Sequence, residues 1–108
     1  MEYDSKHKLY EELLEHYGRV NQIVKAIEEL GELQHELCKA IAGNLDMKHL
    51  VEEIADVEIM LEQIVKMFGV DRWDVARAFE DKLVRTYVRL QEAKNNEHER
   101  CTGTAKEN

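Results

Sequence analysis

Residues 50–68 read LVEEIADVEIMLEQIVKMF, and this stretch decides the fold. Leu50, Val51, Ile54, Val57, Met60, Leu61, Ile64, Val65 and Phe68 recur at three- and four-residue steps, the period of an α-helix. Ile59 widens the apolar surface further, so the helix is apolar around most of its circumference. A helix of that kind needs cover on more than one side, at the centre of a bundle or in an oligomer interface. Asp46 is placed to cap its N-terminus, and Gly69 follows its last apolar residue.

The same period extends outward in both directions. Upstream, Val20, Ile23, Val24, Ile27, Leu30, Gln34, Leu37, Cys38 and Ile41 predict a helix from about Arg19 to Ala42. Gly43-Asn44 closes it with residues that tolerate left-handed backbone. A shorter helix is expected from about Ser5 to Tyr17, with Leu9, Leu13 and Leu14 on one side and Gly18 as its stop. Downstream, Asp71 caps a fourth helix to about Asn95, with Trp73, Ala76, Phe79, Leu83, Tyr87 and Leu90 inward. The 108 residues contain no proline and only five glycines, as long helices require. The expected architecture is all-α: one four-helix domain over residues 1–95, with a polar, disordered tail over 96–108. The all-round apolar third helix further implies a homo-oligomer, a homodimer or homotetramer.

Composition narrows the function. Hydrophobic residues make up 44% of the chain and charged residues 35%, a globular balance. The formal net charge of -8 disfavours binding to nucleic acid polymers or anionic membranes. No apolar run reaches membrane-spanning length, and the N-terminus has no signal-peptide pattern. Cys38 and Cys101 are too few for a disulfide framework and read as free thiols. A cytoplasmic location is the expectation.

The carboxylates are unevenly placed. At about 100° per residue, Gln22, Lys25, Glu29, Glu32 and Glu36 form one stripe of the second helix, away from its apolar side. His49, Glu53 and Asp56 form a stripe of the third, and Met60 and Met67 continue it. An acidic pair on a line with apolar residues faces a cleft or the interior. Glu29 with Glu32, and Glu53 with Asp56, have the i,i+3 spacing that projects both members to one side. Two antiparallel helices can bring the pairs together across one hard cation, Mg²⁺, Mn²⁺ or Ca²⁺. Spacing alone is equally that of a solvated acidic face, and such a chain would be a non-catalytic helical oligomer or adaptor. Glu32-Leu-Gln-His35 has the Glu-x-x-His form used by di-iron bundles, but those need a second copy that the third and fourth helices lack.

Lys25-Ala-Ile-Glu-Glu-Leu-Gly-Glu-Leu33 and Val51-Glu-Glu-Ile-Ala-Asp-Val57 together resemble the paired motif of the MazG-like nucleoside triphosphate pyrophosphohydrolases, in the all-α NTP pyrophosphatase superfamily. That pattern is Glu-x-x-Glu followed by Glu-x-x-Asp, here Glu29-Leu-Gly-Glu32 and Glu53-Ile-Ala-Asp56, and the likeness extends loosely from about Tyr17 to Arg89. The resemblance implies that Glu29, Glu32, Glu53 and Asp56 hold Mg²⁺, with Mn²⁺ as a substitute. It implies that Glu28 or Glu32 activates water, and that a nucleoside triphosphate is cleaved between its α- and β-phosphates. Gln22, Lys25, Lys82 and Arg85 are the corresponding candidates for substrate contact. Lys82-Leu-Val-Arg-Thr86 keeps the lysine of a family Lys-x-x-x-Asn arrangement but has threonine in the last place. Phosphoribosyl-ATP or another pyrophosphate is the alternative substrate within the superfamily.

Overall fold

The computed structural model describes the backbone of residues 1–107 and the side chains of residues 1–100. Four α-helices follow in order: α1 Tyr3–Tyr17, α2 Arg19–Ile41, α3 Met47–Met67 and α4 Arg72–Glu107. There is no strand among the described residues. No helix among them is long and apolar enough to cross a membrane. The chain divides into two compact units, Met1–Val70 with α1 to α3, and a second from Asp71 onward with α4.

Helix boundaries follow local chemistry. Asp46 caps α3, its carboxylate accepting from the backbone N–H groups of Lys48 and His49. Asp71 does the same for Trp73 at the start of α4, at 2.8 Å. These oxygens satisfy amides that the first turn of a helix leaves unpaired. Gly18, the single residue between α1 and α2, has φ +86°, where any side chain is strained. Gly43 ends α2 in the same region, and Asn44 N–H returns to Lys39 O at 2.9 Å.

Within the first unit, α2 and α3 form an antiparallel hairpin. Its sense is plain from Glu36 facing His49 near the turn and Glu29 facing Asp56 further along. Helix α1 is fastened to α3 by polar contacts. Tyr10 Oη donates to Glu62, Lys6 Nζ pairs with the same carboxylate at 3.0 Å, and Lys66 Nζ reaches Glu11 at 3.1 Å. Gln22 ties α2 back to α1 by donating to Leu13 O. Arg19 stacks over the Phe68 ring at 4.4 Å and donates to Met67 O.

The hydrophobic core is small: Tyr10, Ala26, Val57 and Met60. The expectation that α3 is covered on more than one side is not met within this unit, because Val51, Ile54, Leu61 and Phe68 stay exposed. Three helices offer α3 too few neighbours to cover its circumference. Considered by itself, α4 is a lone helix, and Trp73, Phe79, Leu83, Tyr87 and Leu90, expected to point inward, are exposed. It also continues to Glu107, past the end near Asn95 that the polar composition suggested. Neither proline nor a capping pattern intervenes to stop it there. For Cys101 and the last residues of the expected tail, side chains lie outside the described residues.

Candidate metal centre

Three carboxylates converge between α2 and α3. Glu29, Glu53 and Asp56 each bring one oxygen to a point where all three lie within 4.8 Å of one another. Helix geometry accounts for this. Glu53 and Asp56 project from one side of α3, and the antiparallel partner presents Glu29 at the same level. Glu29 and Glu53 are half-buried, whereas Asp56 is exposed.

The electrostatics are those of a cluster short of positive charge. Loss of hydration raises the Glu53 carboxyl above the ordinary carboxylate range, and the charges of Asp56, Glu32, Glu29 and Glu36 push it further. Asp56 is raised by loss of hydration first, then by the charge of Glu29 and a hydrogen bond with it, while Lys25 opposes the shift. Lys25 pairs with Glu29 at 3.0 Å, and that contact holds its ammonium more firmly protonated. The nearest cation is thus on one edge of the cluster. Glu53 Oε2 is buried with no hydrogen-bond partner. Two carboxylates in contact must share a proton or a cation, and the oxygen set suits a hard divalent ion.

A cavity of about 520 Å³ opens beside the cluster, with Glu29 and Asp56 in its wall. Its volume is that of a small-molecule site. Helix α1 contributes Leu13 and Tyr17, α2 adds Asn21, Gln22 and Lys25, and α3 adds Ile59, Met60 and Gln63. Gln22 and Gln63 are almost fully buried. Each spends its amide N–H within the protein, on Leu13 O and Met60 Sδ respectively.

The residues singled out from sequence therefore divide. Glu29, Glu53 and Asp56 meet; Glu32, the fourth expected ligand, is outside the triad and exposed, although its charge is felt at Glu53. Glu28, the other candidate base, is exposed and acts on Lys25 through its charge. Gln22 and Lys25 line the cavity. Lys82 and Arg85 are both on α4, in the second unit, where Lys82 O accepts from Thr86 Oγ1 at 2.7 Å. His49 lies half-exposed with Nδ1 3.3 Å from Asp46 and 4.0 Å from Glu36. Sequence reasoning missed the amide lining of Asn21 and Gln63, since isolated amides carry no motif. It also gave no role to Glu36, which is buried, paired with Lys39 at 3.2 Å, and left with Oε2 unpartnered. Its position one turn beyond Glu32 on the acidic stripe was the available signal.

No family model, curated protein or solved structure matches the chain.

Proposed function

We propose that this chain is a divalent-cation-dependent nucleoside triphosphate pyrophosphohydrolase of the MazG-like kind. The observation that carries the reading is the triad of Glu29, Glu53 and Asp56 in the wall of a ligand-sized cavity. The triad oxygens fit Mg²⁺ or Mn²⁺, and the orphaned Glu53 Oε2 is the atom most in need of such a partner. When bound, the ion supplies charge neutralisation and Lewis acidity at phosphate oxygens.

The chain's own residues account for the rest of the chemistry. Lys25, held charged by Glu29, lines the cavity and would meet a phosphate oxygen there. Leu13, Tyr17, Ile59 and Met60 offer apolar contact to a base or sugar, and Asn21, Gln22 and Gln63, whose amide nitrogens are engaged within the protein, offer amide oxygens to its polar edge. Glu32 or Glu28 orients and deprotonates the attacking water, and the α–β phosphoanhydride bond is the one cleaved. Nucleoside monophosphate and pyrophosphate are the products.

Incubation with a panel of NTPs and dNTPs, with Mg²⁺, Mn²⁺ or EDTA, tests this. Metal-dependent release of pyrophosphate with a monophosphate product is expected. A folded protein that releases none from any of them would shift the reading to phosphoribosyl-ATP, another pyrophosphate, or a non-catalytic helical module.

A further inference from the structure

The cavity beside the triad has two ends. Glu29 and Asp56 stand at one. Two turns further along, about 10 Å by the rise of a helix, Gln22 precedes Glu29 on α2 and Gln63 follows Asp56 on α3. Because the helices are antiparallel, both glutamines come to the same far end. They are nearly sealed, at 6% and 7% of full exposure, and both also border a void of about 10 Å³, so their amides are neighbours.

Each amide is held one way round. Gln22 Nε2 donates to Leu13 O at 3.3 Å, and Gln63 Nε2 to Met60 Sδ at 3.6 Å. Asn21, also in the cavity wall, gives its nitrogen to Tyr17 O at 2.7 Å. All three partners are acceptors, so turning an amide over would set its oxygen against another oxygen or a sulfur. Among the described residues, neither Gln22 Oε1 nor Gln63 Oε1 accepts a hydrogen bond, and the sealed, unpartnered side-chain oxygens belong to Glu36 and Glu53. The glutamine oxygens therefore keep a face on open space. Acceptors in so buried a place demand donors, and the Tyr17 hydroxyl nearby can serve either kind of partner.

We infer that this end of the cavity recognises the exocyclic amino group of a nucleobase, so that cytosine, adenine and guanine nucleotides are taken while uracil and hypoxanthine nucleotides are refused. The inference rests on reading the triad as the phosphate end of a nucleotide site. An amino group carries two N–H donors on one atom and answers two neighbouring acceptors at once. Uracil and hypoxanthine offer a single ring N–H beside an oxo group, whose oxygen would be pressed against an amide oxygen. A buried acceptor left in that state costs on the order of tenfold or more in affinity.

Isothermal titration calorimetry on the full chain with Mg²⁺ tests this. The ligands are α,β-methylene triphosphates, whose carbon bridge cannot be hydrolysed, in the pairs cytidine with uridine, adenosine with inosine, and guanosine with inosine. The amino-bearing member of each pair should bind at least about tenfold more tightly. Gln63→Met keeps the length of the side chain without its oxygen. It should bring each ratio toward one by weakening the amino-bearing member and leaving the uridine and inosine analogues unchanged. Should that variant lose its helical circular dichroism, Gln22→Met is read in the same way, and the wild-type ratios need no variant. Equal affinities within the pairs would mean that water answers the glutamine oxygens, and would overturn the inference. So would a preference that both variants leave untouched. A preference in binding without pyrophosphate release from the natural triphosphates would uphold it and sink the hydrolase reading alone, whereas binding of none of the analogues would overturn both.

Discussion

Glu29 on α2 and Asp56 on α3 set their carboxylate oxygens within 4.8 Å of each other, and Glu53 completes the group from one turn before Asp56. Folding has brought like charges together, with Lys25 alongside Glu29. Such an arrangement opposes the stability of the metal-free protein, which makes each of its members testable without reference to substrate.

Glu53→Gln removes one negative charge while keeping the shape of the side chain. If the proposed function holds, turnover should fall at least about 100-fold, since loss of an outer-shell partner of a metal ligand already costs about 10–100-fold. Without metal, the melting temperature should rise by a few degrees, and added Mg²⁺ should no longer raise it. Differential scanning fluorimetry with and without Mg²⁺ reads both effects. Near-normal turnover by this variant would remove Glu53 from the metal site.

The raised Glu53 and Asp56 carboxyls give a pH dependence of definite sign. The folded state holds these protons more tightly than the unfolded one. Their contribution therefore favours folding below the ordinary carboxylate range, about 4, and is lost as pH rises through the raised values. A divalent ion competes with those same protons. The Mg²⁺-induced gain in melting temperature should thus be larger at pH 7.5 than at pH 5. A gain independent of pH would place the ion elsewhere.

Asp46→Ala removes the oxygen that accepts from Lys48 and His49 N–H groups. The expected loss is about 1 kcal/mol, or roughly 4–8 °C for a domain of this size. Asp46→Asn, which keeps the accepting oxygen, should recover most of it. Thermal melts of the two variants side by side distinguish capping from a change in net charge.

Gly18→Ala places a side chain at φ +86° in the one-residue link between α1 and α2. Nothing crowds the position, so strain alone is tested, at about 1–3 kcal/mol. Because Leu13 and Tyr17 form one wall of the cavity, the same variant should also weaken ligand binding. A melting temperature within a degree of wild type would show that the link can relax.

What the sequence made legible was local. Asp46, Asp71, Gly18 and Gly69 marked where helices start and stop, because caps and left-handed turns depend on one or two residues. The i,i+3 carboxylate pairs told which sides of α2 and α3 carry charge. Burial was less legible. Val51 and Leu61 carry the same hydrophobic signal as the buried Val57, and only the number of neighbouring helices separates them. The exclusion of Glu32 from the triad was equally hidden. Spacing assigns a side of the helix, whereas the height at which the partner helix passes selects Glu29. Polar composition does not by itself stop a helix, and α4 runs on past Asn95 to Glu107.

The α2–α3 turn spans only residues 42–46, so the triad is assembled from one hairpin rather than from distant parts of the chain. Contacts of such short sequence separation form early and quickly. The carboxylates are drawn together as that hairpin closes, and their repulsion opposes the closure. A divalent ion would therefore act as a folding accelerant as well as a stabiliser, visible as a faster refolding limb with an unchanged denaturant dependence.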